Sequence, residues 1–100
     1  MTKEMVIRYF EERSEDFGIV CETKGEIATL CKFLDDNGIR EFEEEYYCDN
    51  INYYNNILLK GKIIFAADRY MFPYPSMLAS GYGAWPFKDI FGGEYEVDLL

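Results

Sequence analysis

Residues 23–38 read TKGEIATLCKFLDDNG, and this stretch carries the strongest local signal in the chain. Thr23 and Glu26 have the spacing of a capping box, in which the two side chains accept backbone N–H groups at the start of a helix. Asn37 and Gly38 form a typical helix end, because glycine readily adopts the left-handed conformation found there. We therefore predict a helix from Lys24 to Asn37.

The same stretch has the apolar spacing of an amphipathic helix. Four apolar side chains recur at positions i, i+3, i+4 and i+7, which lie on one face of a helix: Ile27, Leu30, Cys31 and Leu34. This face is expected to pack against a sheet.

The flanking segments carry the alternating or continuous apolar patterns that are typical of strands. The predicted strands are 5–10, 18–22, 39–47, 51–59, 62–67 and 94–100. For 39–47 a helix is the alternative, since Ile39, Phe42 and Tyr46 also fit helical spacing. Lys60-Gly61 is interpreted as the turn of a hairpin. Residues 70–93 are rich in proline, glycine and aromatic residues, and they predict an ordered irregular loop with a short helical turn at 76–80.

Together these elements predict one small acidic α+β domain over residues 1–100. Its sheet would be mostly antiparallel, with about five to six strands, and one amphipathic helix at about 24–37 would pack on one face.

The charge of the chain is strongly negative and unevenly distributed. Nineteen acidic residues face ten basic ones, for a formal net charge of −9, and residues 1–50 carry −8 of it. Such a field repels nucleic acids and anionic membranes and favours encounter with basic partners. We therefore expect a basic protein as partner, with no direct nucleic-acid or membrane binding. Solubility alone is the alternative explanation of this charge.

Cysteine usage and the N-terminus indicate a cytoplasmic protein, in the host cytoplasm if it is phage-encoded. Cys21, Cys31 and Cys48 form an odd set without a recognised spacing, so reduced thiols are expected. No signal peptide is visible, and the longest apolar run, 63–67, is too short to cross a bilayer.

The residues that most catalytic sites require are missing. The chain has no histidine, which removes the commonest general base near neutral pH and the usual activator of a cysteine nucleophile. No phosphate-binding loop, nucleophile elbow or dinucleotide fingerprint occurs, and three cysteines do not complete a zinc site. We expect neither enzymatic activity nor a cofactor or metal.

Two acidic segments are the first candidates for partner binding. We name them the N-terminal acidic segment (Glu11, Glu12, Glu15 and Asp16) and the second acidic segment (Glu41, Glu43, Glu44 and Glu45). On a strand, alternate glutamates would stand about 6.6–6.8 Å apart, which is comparable to the phosphate spacing of one DNA strand. In size and charge the chain is similar to the anti-CRISPR and anti-restriction proteins of phages. That similarity implies an inhibitor that mimics nucleic acid and blocks a basic, nucleic-acid-binding partner.

The aromatic segment around Trp85 is the second candidate. Tryptophan and tyrosine are enriched at binding hot spots, so Tyr82, Trp85 and Phe87 could anchor a partner. The alternative is that Trp85 and Phe87 fold back onto the sheet. An immunity or antitoxin protein, or a ligand-binding or oligomeric domain that uses loop 70–93, remains the alternative function.

Overall fold

A computed structural model describes residues 1–41, 44–68, 71–73 and 83–92 of the chain. Within these ranges there are four α-helices, four strands and one 3-10 helix. In chain order they are α1 (Lys3–Glu12), β1 (Phe17–Cys21), α2 (Lys24–Asp36), the 3-10 helix (Tyr47–Asn50), α3 (Ile51–Leu58), β2 (Ile63–Ala66), β3 (Met71–Pro73), β4 (Gly83–Pro86) and α4 (Phe87–Phe91).

The strands form one mixed sheet in the order β3-β2-β1-β4. Strand β2 is antiparallel to both β1 and β3, whereas β4 runs parallel to β1 at the other side. Ile19 of β1 lies opposite Phe65 of β2 and opposite Trp85 of β4. The side chains of these three residues therefore point to the same face of the sheet.

The main core lies between this face and the helices. It combines alternate residues of the central strands, such as Ile19 and Phe65, with buried side chains from each of the four helices, including Tyr54 of α3. A second, smaller cluster on the opposite face contains Val20, Ile64 and Ala66.

The predicted α2 is confirmed together with its cap and its buried stripe. The Thr23 hydroxyl accepts the Glu26 N–H at 3.1 Å, and the Glu26 carboxylate accepts the N–H of Glu22 at 2.7 Å. The Glu26 side chain thus reaches one residue beyond the N-cap. The apolar stripe is fully buried, and Gly38 has a φ of 77° just after the helix.

The predicted fold class is wrong in its balance of helix and strand. The described residues hold four helices and a small mixed sheet, in place of one helix on a largely antiparallel sheet of five to six strands. Residues 5–10 are part of α1: the Thr2 hydroxyl accepts the Met5 N–H at 3.2 Å, and Val6 and Phe10 are buried one turn apart. The apolar residues of this segment are so closely spaced that they fit both the two-residue period of a strand and the 3.6-residue period of a helix.

The predicted strand at 51–59 is also wrong, because Ile51–Leu58 is helix α3. Tyr54 is its fully buried residue, and its ring packs against Phe65 with the centroids 5.0 Å apart. Lys60 and Gly61 form a turn, as predicted, but this turn joins a helix to β2. Strands β1 and β2 are confirmed close to their predicted bounds.

The described parts of 39–47 contain no strand as long as the predicted one. The Glu41 N–H donates to the Glu45 carbonyl at 3.1 Å, and the 3-10 helix begins at Tyr47. Within the predicted loop 70–93, β3, β4 and α4 are regular elements, so the loop prediction is wrong there. The predicted helical turn at 76–80 and the strand at 94–100 lie outside the described residues.

Candidate protein-binding surface

The N-terminal acidic segment forms the connection between α1 and β1. Arg13 ends α1 in the left-handed conformation, with a φ of 55°, and turns the chain toward the sheet. The Ser14 hydroxyl then donates to the Asp16 carboxylate at 2.5 Å. All four carboxylate residues of the segment are exposed: Glu11, Glu12, Glu15 and Asp16.

Among the described residues, most of the charge in this segment is not neutralised by strong ion pairs. Glu12 contacts Arg8 at 3.0 Å, but both side chains are largely exposed. Exposed pairs of this kind contribute only about 0–1 kcal/mol and are weakened further by salt. The carboxylates therefore remain accessible to a charged partner.

The parallel pairing of β1 and β4 brings this acidic segment next to the aromatic segment. Phe17 lies opposite Gly83, and the Gly83 N–H donates to the Asp16 carbonyl at 3.0 Å. A Cβ atom at position 83 would lie 2.9 Å from that carbonyl oxygen. Glycine at this position therefore permits the close approach of the two chain segments.

Three stacked or tilted rings extend from α1 to the edge strand β4. Tyr9 stacks on Phe17 with the centroids 4.6 Å apart, and Phe17 lies 6.4 Å from Trp85. We name these three residues the aromatic edge. Phe17 is buried and Tyr9 is half-buried, whereas Trp85 remains 40% exposed. The aromatic edge thus holds a large apolar side chain in position beside the acidic segment, with part of its surface facing solvent.

The other aromatic candidates are placed differently. Phe87 is 1% exposed and stacks on Phe91 at 4.5 Å, so it belongs to the core and offers no surface to a partner. Phe87 therefore folds back onto the sheet, as in the alternative interpretation of the sequence, whereas Trp85 does so only in part. Tyr82 lies outside the described residues.

The second acidic segment does not form the row of exposed carboxylates that a strand would produce. Glu41 is only 6% exposed, and its carboxylate accepts hydrogen bonds from the Tyr54 hydroxyl and from the Asn50 amide, the latter at 2.9 Å. Glu44 and Glu45 are exposed, and Glu43 lies outside the described residues. Because the described part of 39–47 contains no strand of that length and Glu41 is buried, the comparison with phosphate spacing loses its geometric basis.

Two carboxylates hold this segment against the rest of the protein. The Asp35 carboxylate accepts the backbone N–H groups of Tyr47 and Cys48, at 2.7 and 3.0 Å. Burial and the nearby Glu41 carboxylate raise the pKa of the Tyr54 hydroxyl, which keeps it protonated as a donor. Sequence reasoning missed these structural roles because no local pattern separates a buried glutamate from its exposed neighbours.

All three cysteine thiols have a pKa above the ordinary value. Burial raises the pKa of the Cys21 and Cys31 thiols, and burial together with the Asp35 carboxylate raises that of Cys48 to about 11. Thiols with such pKa values are protonated at neutral pH and are poor nucleophiles. Among the described residues, no group of three or more Cys, Asp or Glu side chains could hold a metal ion.

A shallow pocket of about 30 Å³ lies between the starts of α2 and α4. Its lining includes Glu26, Pro86 and Lys88. It has room for a few water molecules, since a cavity needs roughly 10–15 Å³ of such volume to hold one. Across the ranges that the structure describes, no helix is both long and apolar enough to span a membrane.

Comparison of the chain with protein-family models, curated proteins and solved structures finds no significant match.

Proposed function

We propose that this chain is a non-enzymatic protein-binding module that inhibits its partner by covering a basic surface. The N-terminal acidic segment and Trp85 make the contact. The observation that supports this most strongly is the β1–β4 pairing, because it brings the exposed residue Asp16 next to Gly83, two residues before a tryptophan that is 40% exposed.

The charge of the whole chain supports a basic partner. A net charge of −9 on 100 residues attracts positively charged surfaces over about one Debye length, roughly 8–10 Å at physiological salt. Nucleic-acid-binding proteins carry such surfaces, so a protein of this class is the proposed target. The net charge and the exposed tryptophan support this target, whereas a regular spacing of glutamates does not.

Trp85 supplies the part of the contact that charge alone does not provide. Exposed ion pairs are individually weak, whereas buried tryptophans often dominate the binding energy of an interface. Phe17 packs against the indole from within the protein, so Trp85 is partly ordered before a partner arrives. Such preorganisation lowers the entropy lost on binding.

The proposal is tested by affinity capture from a nuclease-treated bacterial lysate, with low-salt and high-salt washes and identification by mass spectrometry. The test variant carries Glu11→Lys and Glu15→Lys, and the control variant carries Glu44→Lys and Glu45→Lys. All four positions are exposed, and both variants change the net charge from −9 to −5. The comparison therefore separates the position of the charge from its total amount.

Capture of a basic protein that is released at high salt, lost in the test variant and kept in the control supports the proposal. If both variants capture the same proteins as the wild type, the N-terminal acidic segment is not the contact. The identity of a captured protein also distinguishes the alternatives, since an immunity protein would retain a toxin enzyme by the same charged surface.

A further inference from the structure

The apolar patch formed by the aromatic edge continues along α1. Met5 lies one helical turn before Tyr9, on the same side of α1, and is 42% exposed. Trp85, which is 40% exposed, lies at the other end of the row of rings. Met5 and Trp85 therefore lie at the two ends of a row that runs through the half-buried Tyr9 and the buried Phe17.

The charges that border this patch indicate what can cover it. The four carboxylates of the N-terminal acidic segment outnumber Arg8 and Arg13, the basic residues of the same stretch, by two charges. Asp16 is the member nearest β4, because its carbonyl accepts the Gly83 N–H and Gly83 lies two residues before Trp85. An apolar patch with a negative border favours a partner group that is both cationic and able to stack.

On this basis we propose that Trp85 selects arginine: an arginine side chain of the partner stacks on the exposed part of the indole while its guanidinium pairs with the neighbouring carboxylates. This inference rests on the proposed function and names the chemistry of its partner. A guanidinium is planar and weakly hydrated, so it can stack on a ring and still donate to carboxylates in its own plane. A lysine ammonium is a compact, strongly hydrated charge and combines these two contacts poorly.

The chain contains a contact of the same kind within its own fold. The guanidinium of Arg40 lies over the ring of Tyr46, with its central carbon 3.9 Å from the ring centroid. The same guanidinium donates to the carbonyl oxygens of Asp35 and Ile39, both at 3.2 Å. One guanidinium thus combines stacking and hydrogen bonding on the surface of this protein.

The test uses two short unstructured peptides, one of alternating arginine and glycine and one of alternating lysine and glycine, with equal length and charge. Trp85 is the only tryptophan of the chain, so its emission reports on this surface alone. We expect the arginine peptide to change that emission and to bind about two- to five-fold more tightly than the lysine peptide, which is the range of an exposed cation–π contact.

Calorimetric titration of two variants then assigns the preference to the ring. Trp85→Leu keeps an apolar contact with Phe17 and removes the large aromatic face, so it should abolish the preference for arginine. Tyr53→Leu is the control, because Tyr53 lies on α3, away from the N-terminal acidic segment, and its side chain is 61% exposed. It should leave both affinities unchanged.

The inference is overturned if the two peptides bind equally, or if the preference for arginine survives Trp85→Leu. The proposed function remains intact in that case, provided that charge reversal at Glu11 and Glu15 still abolishes capture. Absence of binding by either peptide also overturns the inference. Failure of the proposed function would appear separately, as capture that does not depend on the N-terminal acidic segment.

Discussion

Replacing Glu41 with alanine should destabilise the protein far more than replacing its exposed neighbours. The Glu41 carboxylate accepts hydrogen bonds from the buried Tyr54 hydroxyl and from the Asn50 amide. Glu41→Ala removes both bonds and leaves the hydroxyl of a fully buried tyrosine without its acceptor. An unsatisfied buried group costs about 1–3 kcal/mol, and a bond to a charged acceptor contributes about 1.5–3 kcal/mol.

These values overlap because part of each bond's contribution is the desolvation of its donor. We therefore expect a loss of about 3 kcal/mol in the free energy of unfolding. For a chain of this size, each kcal/mol lowers Tm by about 4–8 °C, so Tm should fall by roughly 12–24 °C. Tyr54→Phe removes the donor hydroxyl and keeps the ring, and the double variant should lose clearly less than the sum of the single variants.

Urea and thermal unfolding, followed by far-UV circular dichroism, measure these effects. Glu45→Ala is the matched control, since its side chain is exposed and should change stability by no more than about 0.5 kcal/mol. If Glu41→Ala and Glu45→Ala are equally stable, the Glu41 carboxylate is not buried against Tyr54. The placement of Glu41 beside Asn50 and Tyr54 would then be wrong.

Three further perturbations test other parts of the structure. Gly83→Ala should displace β4, because its Cβ would lie 2.9 Å from the Asp16 carbonyl oxygen. We expect the free energy of unfolding to fall by about 1–3 kcal/mol and the tryptophan emission to shift to the red. Unchanged emission would contradict the pairing of β1 with β4. Stability should decrease at high pH, because burial raises the pKa of the Tyr47 and Tyr54 hydroxyls in the folded state. The contribution of these tyrosines to the free energy of unfolding should be fully present below pH of about 10, the pKa of an unfolded tyrosine, and should fall as the pH rises above that value. The fall should be smaller in Tyr54→Phe. Urea unfolding at a series of pH values measures both effects. Cys48, whose thiol pKa is raised to about 11 by burial and by Asp35, should react with iodoacetamide roughly tenfold to a hundredfold more slowly than an unperturbed thiol at neutral pH. Mass spectrometry of timed samples would reveal an equally fast reaction, which would contradict this placement of the thiol.

The local chemistry of the sequence was sufficient to predict α2, β1 and β2. The capping pair Thr23 and Glu26 acts over three residues, and the apolar stripe of α2 spans more than two helical turns. Strands β1 and β2 are short apolar runs rich in β-branched residues, and they are buried on both faces. In each case neighbours in the chain provide the signal, so no knowledge of distant contacts was needed.

Helices α1 and α3 show where local pattern fails. Over residues 5–10 the apolar side chains are so dense that a period of two and a period of 3.6 both fit. In α3 the tyrosines favour a strand by propensity, yet packing of Tyr54 against Phe65 and its bond to Glu41 accompany a helix. Tertiary contacts outweigh such propensities, which differ by only a few tenths of a kcal/mol per residue.

Composition and neighbouring residues are enough to predict the acidic charge, the absence of histidine, the central helix and the two central strands. Which of the candidate residues lie at the surface depends on how distant parts of the chain pack together. This packing buries Glu41 and Phe87, and it brings Asp16 beside Gly83 and Trp85 across more than sixty intervening residues. Burial and the parallel pairing of β1 with β4 arise from contacts between segments that are far apart in the chain. Two residues of the same type, such as Glu41 and Glu45, therefore differ in exposure because they make different contacts of this kind.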